Sequence, residues 1–148
     1  MKILFIFLFS FSVITGYSQN IDSSKTYVLT EYNQLKEVLI REGDSITEFS
    51  IFMPTYKELY TADSTLNKYL LKDNLNIKNY LIQLMFVVDD TGKKYVFIVG
   101  LCYGIAENNA DQWKSTFLYI DDGGRCYFLS KMDLHYKKII NQRYNGRG

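Results

Sequence analysis

Two apolar segments separated by a tight turn limit most strongly what this chain can fold into. Tyr80–Val88 places an apolar residue at every second position, which is typical of a β-strand with a buried face. Asp-Asp-Thr-Gly follows at 89–92, and Tyr95–Cys102 is again apolar and rich in β-branched residues. A parallel crossover needs about a dozen residues, so this short turn predicts an antiparallel hairpin.

Similar signals continue towards the end of the chain. Thr116–Ile120 and Arg125–Met132 are strand-like and flank Asp-Asp-Gly-Gly at 121–124, which predicts a second hairpin. After a further turn at Asp133–Lys137, Lys138–Asn145 predicts a last strand. Because all these connections are short, the second half of the chain predicts an antiparallel meander.

The main helix is expected before the first hairpin. Asp63 or Ser64 can cap its N-terminus, and the helix is predicted to run to about Asn74. Its apolar side consists of Leu66, Tyr69 and Leu70. The predicted fold class is therefore α+β, with one main helix packed on an antiparallel β-meander in two layers.

The segment before this helix allows two interpretations. Thr26–Glu31 and Leu35–Arg41 form a hairpin, or Asn33–Arg41 forms a short helix. Ile46–Met53 then predicts a strand with alternating apolar residues, and Pro54 ends it. The sequence leaves open whether this part of the chain joins the main sheet.

Residues 1–18 have the organisation of a secretory signal peptide. Lys2 supplies the positive charge, Ile3–Ile14 is apolar except for two serines, and Gly-Tyr-Ser at 16–18 places small residues before a cut at Gln19. The alternative is an uncleaved membrane anchor, for which the apolar run is short against the roughly 20 residues that span a bilayer. We therefore expect an exported protein, either periplasmic or secreted.

After cleavage, polar residues 19–25 are expected to be loose, and residues 26–148 to form a single α+β domain. The full chain has 148 residues, of which 47% are apolar, and 17 Lys and Arg stand against 16 Asp and Glu. This composition excludes a disordered segment, a polybasic nucleic-acid arm and an acidic tail. We expect neither a nucleic-acid partner nor a transmembrane segment after cleavage.

The two cysteines have two possible states. Export to an oxidising compartment favours a disulfide between Cys102 and Cys126, and the alternative is two separate buried thiols. Two cysteines and one histidine cannot supply the four ligands of a structural zinc site.

Few residues suggest catalysis. The acidic pairs Asp89–Asp90 and Asp121–Asp122 precede glycines, which favours a role in the turns over calcium binding or a catalytic carboxylate pair. The single histidine, His135, falls in another predicted turn, and the chain contains no Gly-x-Ser-x-Gly motif. The sequence therefore predicts no catalytic, cofactor-binding or metal-binding residue and favours a protein that is not an enzyme.

Aromatic residues suggest a surface for recognition. The chain has 13 tyrosines, and tyrosine gives a large contact area at a low entropic cost. The same residues are also ordinary core residues of strands. The candidates for a recognition face are Tyr95, Tyr103, Trp113, Tyr119 and Tyr127.

Basic residues are concentrated near the end of the chain. Residues 125–148 contain six Lys and Arg but one acid, Asp133. Such a segment attracts anionic surfaces such as lipid headgroups, glycans or an acidic partner. The simpler interpretation is that these charges protect edge strands from aggregation.

Residues 46–101 resemble the first half of a TonB C-terminal domain. The resemblance rests on Met-Pro-Thr-Tyr at 53–56, Leu-Asn-Lys-Tyr-Leu at 66–70, Asn-Leu at 74–75 and Phe-Val-Val-Asp-Asp-Thr-Gly-Lys at 86–93. Lys57–Glu58 replaces the family's usual glycine pair, and residues 102–148 do not match. The resemblance implies a fold that binds peptides by adding a strand at a sheet edge. It assigns no residue roles.

These observations predict a small exported, non-enzymatic binding module of a bacterial envelope, without a cofactor. It would recognise an envelope protein or a peptide through its antiparallel sheet. The alternative is a cystatin-like or NTF2-like cone, in which a helix over a curved sheet encloses a pocket that binds or converts a small molecule. A third hypothesis is a structural component of an envelope complex.

Overall fold

A six-stranded sheet with helices on both sides forms the centre of the molecule. The computed structural model describes residues 25–30, 32–42, 48–106, 112–120 and 122–144. The predicted signal peptide and residues 19–24 lie outside these described residues. The strands are β1 (Thr26–Val28), β2 (Phe49–Ile51), β3 (Tyr80–Asp89), β4 (Lys94–Cys102), β5 (Tyr127–Asp133) and β6 (Lys138–Tyr144). The helices are α1 (Tyr32–Glu42), α2 (Tyr56–Lys72) and α3 (Tyr103–Ala106).

The strand order is β1-β3-β4-β5-β6, and β2 pairs with β3 beside β1. β3 and β4 form the predicted antiparallel hairpin, with Val88 opposite Lys94. Its turn is built as the sequence predicts, because the carboxylate of Asp89 accepts hydrogen bonds from the backbone N–H groups of Thr91 and Lys93, both at 2.9 Å. Gly92 supplies the positive φ of 82° that the turn requires.

One strand pair is parallel, which the sequence did not predict. Thr26 of β1 lies opposite Ile82 of β3, and both strands run in the same direction. Between them the chain passes through α1, β2 and α2, a connection long enough for a crossover. Of the two interpretations for this segment, the structure contains the helix and not the hairpin.

The main helix begins earlier than predicted. The side chain of Thr55 accepts the N–H of Glu58 at 3.3 Å, while Glu58 accepts the N–H of Thr55 at 2.8 Å. This capping box, directly after Pro54, starts α2, so Asp63 and Ser64 lie inside the helix. The predicted end is close to the observed one, since Asn74 takes a positive φ of 57° and the N–H of Leu75 bonds to the carbonyl of Leu70 at 2.9 Å.

Each face of the sheet has its own hydrophobic core. The core under α2 joins helix residues such as Leu66 and Leu70 to Phe86, Ile98 and other side chains of the sheet. This arrangement confirms the α+β class with one main helix on a largely antiparallel sheet. The opposite face is covered as well, by the described side chains of α1 and by residues 112–120, which we call the cover segment.

The cover segment contradicts the predicted second hairpin, because Thr116–Ile120 is not a strand. Its backbone bonds instead to a buried side chain of β3. The amide nitrogen of Gln83 donates to the carbonyls of Trp113 and Thr116, the latter at 2.6 Å, and its oxygen accepts the N–H of Leu118 at 2.9 Å. Hydrogen bonds to the side-chain amide of Gln83 thus take the place of the bonds that a neighbouring strand would make to this backbone.

Across the described ranges, no helix combines the length and the apolar character needed to cross a membrane.

Candidate functional site

Two of the predicted recognition residues belong to the core, which corrects that part of the prediction. Tyr127 is fully buried, and its hydroxyl donates to the carbonyl of Leu118 at 2.9 Å. Trp113 is 5% exposed and packs against the sheet. Both residues are buried because the cover segment, which contains Trp113, packs on the sheet face to which Tyr127 belongs.

The other three candidates do not form one surface. Tyr95 and Tyr119 are half-buried against the core under the cover segment. Tyr103 is 48% exposed, with the amino group of Lys25 5.1 Å from its ring centroid. Tyr95 and Tyr103 lie at opposite ends of β4, so the aromatic recognition face does not assemble.

The two cysteines form the predicted disulfide. Cys102 ends β4, Cys126 directly precedes β5, and their Cα atoms are 4.7 Å apart. The bond closes a loop that contains α3 and the cover segment.

A long groove runs beside α2. Its first part, of about 590 Å³, lies between the start of α2, the β3–β4 turn and the β5–β6 turn. Its second part, of about 520 Å³, lies between the exposed side of α2 and the start of β6. Both parts share Lys57, Thr61 and Lys137, so they form one continuous depression.

The groove is strongly basic. Its lining contains the lysines Lys57, Lys68, Lys72, Lys93, Lys94, Lys137 and Lys138. Of the described residues, only Glu58 and Asp133 bring negative charge to the same lining, although the net charge of the whole chain is +1. A concave surface lined by charges of one sign concentrates the electrostatic potential and attracts counter-charged ligands.

Both acids of the groove already have partners. Glu58 forms an ion pair with Lys94 at 2.8 Å. Burial acts to raise the pKa of Glu58, but hydrogen bonds from Lys94 and Thr55 outweigh it and hold that pKa below its usual value. Asp133 accepts the N–H of Tyr136 at 2.9 Å inside the β5–β6 turn. The remaining lysines therefore dominate the charge of the groove.

The groove also contains His135, which is exposed and whose ring contacts that of Tyr136 at 4.8 Å between centroids. The acidic turns lie apart from each other in sequence and structure, with Asp122 exposed and Asp121 outside the described residues. Within the part of the chain that the structure describes, no three Cys, His, Asp or Glu side chains are placed to hold a metal ion.

A buried carboxyl group lies outside the groove. Asp63 is 7% exposed on the buried side of α2, and its Oδ2 has no hydrogen-bond partner among the described residues. Burial raises its pKa to about 6. Sequence reasoning took Asp63 for a cap and so missed its burial; the Thr-x-x-Glu spacing at 55–58 was the signal that locates the true helix start.

Strand β6 is the last strand of the sheet among the described residues. The strand register shows which backbone N–H and C=O groups of β6 point away from β5. The N–H of Leu134 bonds to the carbonyl of Lys94, and alternation along β5 then directs the backbone of Leu129 and Lys131 towards β6. Their partners in β6 are Arg143 and Asn141.

Gln142 lies between these two residues of β6 and Tyr144 follows them, so the backbone groups of both have the opposite orientation. The N–H and C=O groups of Gln142 and Tyr144 therefore point away from the sheet. A register shift opposite Lys131 and Met132 leaves Ile140 without a partner in β5, and its side chain is 49% exposed. The regular part of this open edge thus begins at Asn141.

Comparison of the chain with protein-family models, with curated proteins and with solved structures gives no match. The resemblance to the TonB C-terminal domain therefore stays a prediction.

Proposed function

We propose that this protein is a small exported binding module of a bacterial envelope that recognises an extended peptide or protein segment by strand addition to β6. It acts by contact and not by catalysis. One observation carries the proposal: β6 ends the described sheet and directs the backbone groups of Gln142 and Tyr144 outwards. Extended peptides bind to such edges through main-chain hydrogen bonds.

The covering of both sheet faces supports an edge as the binding surface. Side chains from α2 fill one face, and the cover segment with α1 fills the other. A cone with an open apolar pocket, the alternative hypothesis, needs one of these faces free. At the opposite edge of the sheet, the outer strands β1 and β2 have three residues each, whereas β6 has seven. The edge of β6 therefore offers the longer strand for pairing.

Two observations support export to the periplasm or the exterior. Residues 1–18 have the pattern of a signal peptide. The pairing of Cys102 with Cys126 is typical of proteins in oxidising compartments.

Peptide selection tests the proposal. A library of random displayed peptides is selected on the oxidised protein, and each enriched peptide is mapped by amide hydrogen exchange. We expect bound peptides to slow exchange at Gln142 and Tyr144, because their N–H groups become strand partners. Gln142→Pro removes one outward N–H without breaking a bond to β5, and we expect it to weaken binding by about tenfold or more.

The matched control is Gln142→Ala, which removes the same side chain but keeps the N–H group. It should bind peptides within about threefold of the unchanged protein. Equal binding by the proline and alanine variants, or protection of amides elsewhere in the sheet, would show that β6 is not the binding edge. Failure to enrich any peptide would contradict the proposed function as a whole.

A further inference from the structure

The basic groove adjoins the edge where the proposed function places a peptide. Lys138 and Ile139 of β6 line the groove, and Ile139 belongs to the core under α2. A strand added to β6 lies about 4.8 Å beyond it, next to the groove between α2 and the start of β6. Successive side chains of that strand point to opposite faces, so every second one points to the α2 side.

The flank of α2 above this position is basic. Lys68 and Lys72 are one helical turn apart and line the same part of the groove as Lys138. Lys57 and Lys137 extend the positive charge towards the β5–β6 turn. Side chains of an added strand that point towards α2 therefore enter a lysine-lined space.

Resting on the proposed function, we propose that the segment bound at β6 is acidic and places Asp or Glu at every second position, with their carboxylates against the lysines of the groove. Such residues follow each other at about 7 Å along a strand. Glu and Asp side chains can pair with exposed lysines in many orientations, because the lysine amino group is a point charge on a flexible chain.

The shape and chemistry of the groove favour an acidic peptide over other anions. The lysines line a depression beside α2, whereas a bilayer meets protruding surfaces. Among the described residues, the lining contains lysines and no arginine, the residue whose planar group binds phosphate and sulfate with two parallel hydrogen bonds. A peptide strand also uses the adjacent edge of β6, which a lipid or a glycan leaves unpaired.

Three synthetic peptides test the inference: Thr-Glu-Thr-Glu-Thr-Glu-Thr, its Gln analogue and its Lys analogue, each with blocked ends and a fluorescent label. We expect the Glu peptide to bind about tenfold more tightly than the Gln peptide at low salt. Added salt should shrink that difference, because exposed charges are screened beyond a few ångströms at about 1 M ionic strength. The peptides enriched from the random library should be rich in Asp and Glu.

Charge reversal locates the effect. Lys68→Glu with Lys72→Glu should weaken binding of the Glu peptide by about tenfold or more and shift the preference to the Lys peptide. The control is Lys78→Glu with Lys114→Glu, which makes the same change in net charge on exposed residues outside the groove. It should change binding by less than about threefold, and thermal unfolding verifies that both variants fold.

The edge variant Gln142→Pro separates the two proposals. If it abolishes binding while the groove reversal changes nothing, the acidic ligand is wrong and strand addition stands. If the groove reversal abolishes binding while Gln142→Pro changes nothing, strand addition is wrong. If none of the three peptides binds although the library yields peptides that protect Gln142 and Tyr144, the acidic ligand is wrong and strand addition stands. Groove-dependent binding of phosphatidylglycerol vesicles without peptide binding would identify a membrane surface in place of the acidic peptide.

Discussion

At the scale of single residues, Asp63 is a buried carboxyl group in unfavourable surroundings. It lies on the buried side of α2 between the core residues Ala62 and Leu66, and its Oδ2 lacks a partner among the described residues. Burial raises its pKa from 3.8 to about 6. The ionised carboxylate of Asp63 therefore lowers the free energy of unfolding more than the protonated carboxyl group does.

Asp63 should make stability fall as pH rises. Between the two pKa values the folded chain holds a proton that the unfolded chain has released, so acidification from about pH 7.5 to about pH 5 stabilises the fold. Asp63→Asn removes this response and should raise the free energy of unfolding at about pH 7.5 by on the order of 1 kcal/mol. Urea unfolding at both pH values measures the difference.

The control for this prediction is Asp90→Asn, which changes an exposed carboxyl group in the β3–β4 turn. It should keep the pH dependence of the unchanged protein. A slope that is the same with and without Asp63 would show that its carboxyl group does not titrate between these pH values.

At the scale of elements, the cover segment depends on one glutamine. Gln83 is 2% exposed and bonds to the backbone of Trp113, Thr116 and Leu118. Gln83→Leu keeps a similar volume but removes the hydrogen-bond partner of two carbonyls and an N–H group that are buried or half-buried. We expect a loss of about 2–4 kcal/mol in the free energy of unfolding and faster hydrogen exchange at Leu118.

Gln142→Leu is the matched control, since both polar atoms of its amide are buried without a partner among the described residues. We expect it to change the free energy of unfolding by less than about 1 kcal/mol, or to raise it, because no hydrogen bond is lost. A small effect of Gln83→Leu would mean that apolar contacts of Trp113 and Phe117 alone hold the cover segment.

Elements defined by neighbouring residues could be predicted from the sequence. The β3–β4 hairpin follows from alternation around Asp89 and Gly92, and the disulfide is the state that the expected export and an even cysteine count favoured over two separate thiols. The cover segment could not be predicted as such, because its hydrogen bonds go to Gln83, which lies 30 to 35 residues earlier in a strand whose other residues are mostly apolar. For the same reason the burial of Trp113 and Tyr127 was missed.

At the scale of the whole molecule, the groove is built from parts far apart in sequence. Its lysines come from α2, from the β3–β4 turn and the start of β4, and from the β5–β6 turn and the start of β6. The excess of basic residues in 125–148 pointed to an anionic partner but supplies only two of the groove lysines, Lys137 and Lys138. The others became neighbours only through the packing of α2 on the sheet.

The disulfide should stabilise the whole domain, because it closes a loop between two central strands. Cys102 and Cys126 are separated by 24 positions. Cys102→Ala with Cys126→Ala should lower the free energy of unfolding by about 3 kcal/mol, since the open chain gains conformational freedom when unfolded. Thermal unfolding with and without dithiothreitol measures this loss.

The reductant itself provides the control. Dithiothreitol should lower the Tm of the unchanged protein to that of the double variant and leave the variant unaffected. Equal melting of the oxidised and reduced protein would indicate that packing of the loop already restricts the chain as much as the bond does.

The direction of the strands has a consequence for handling the protein. β1 begins beside the start of β3, and β6 ends opposite the start of β5, so the described chain enters at Lys25 and leaves at Tyr144 at one end of the sheet. The β3–β4 and β5–β6 turns lie at the other end. A molecule attached to a sensor surface at Lys25 or at Tyr144 would therefore hold Lys93 and His135 at the end of the sheet that faces the solution.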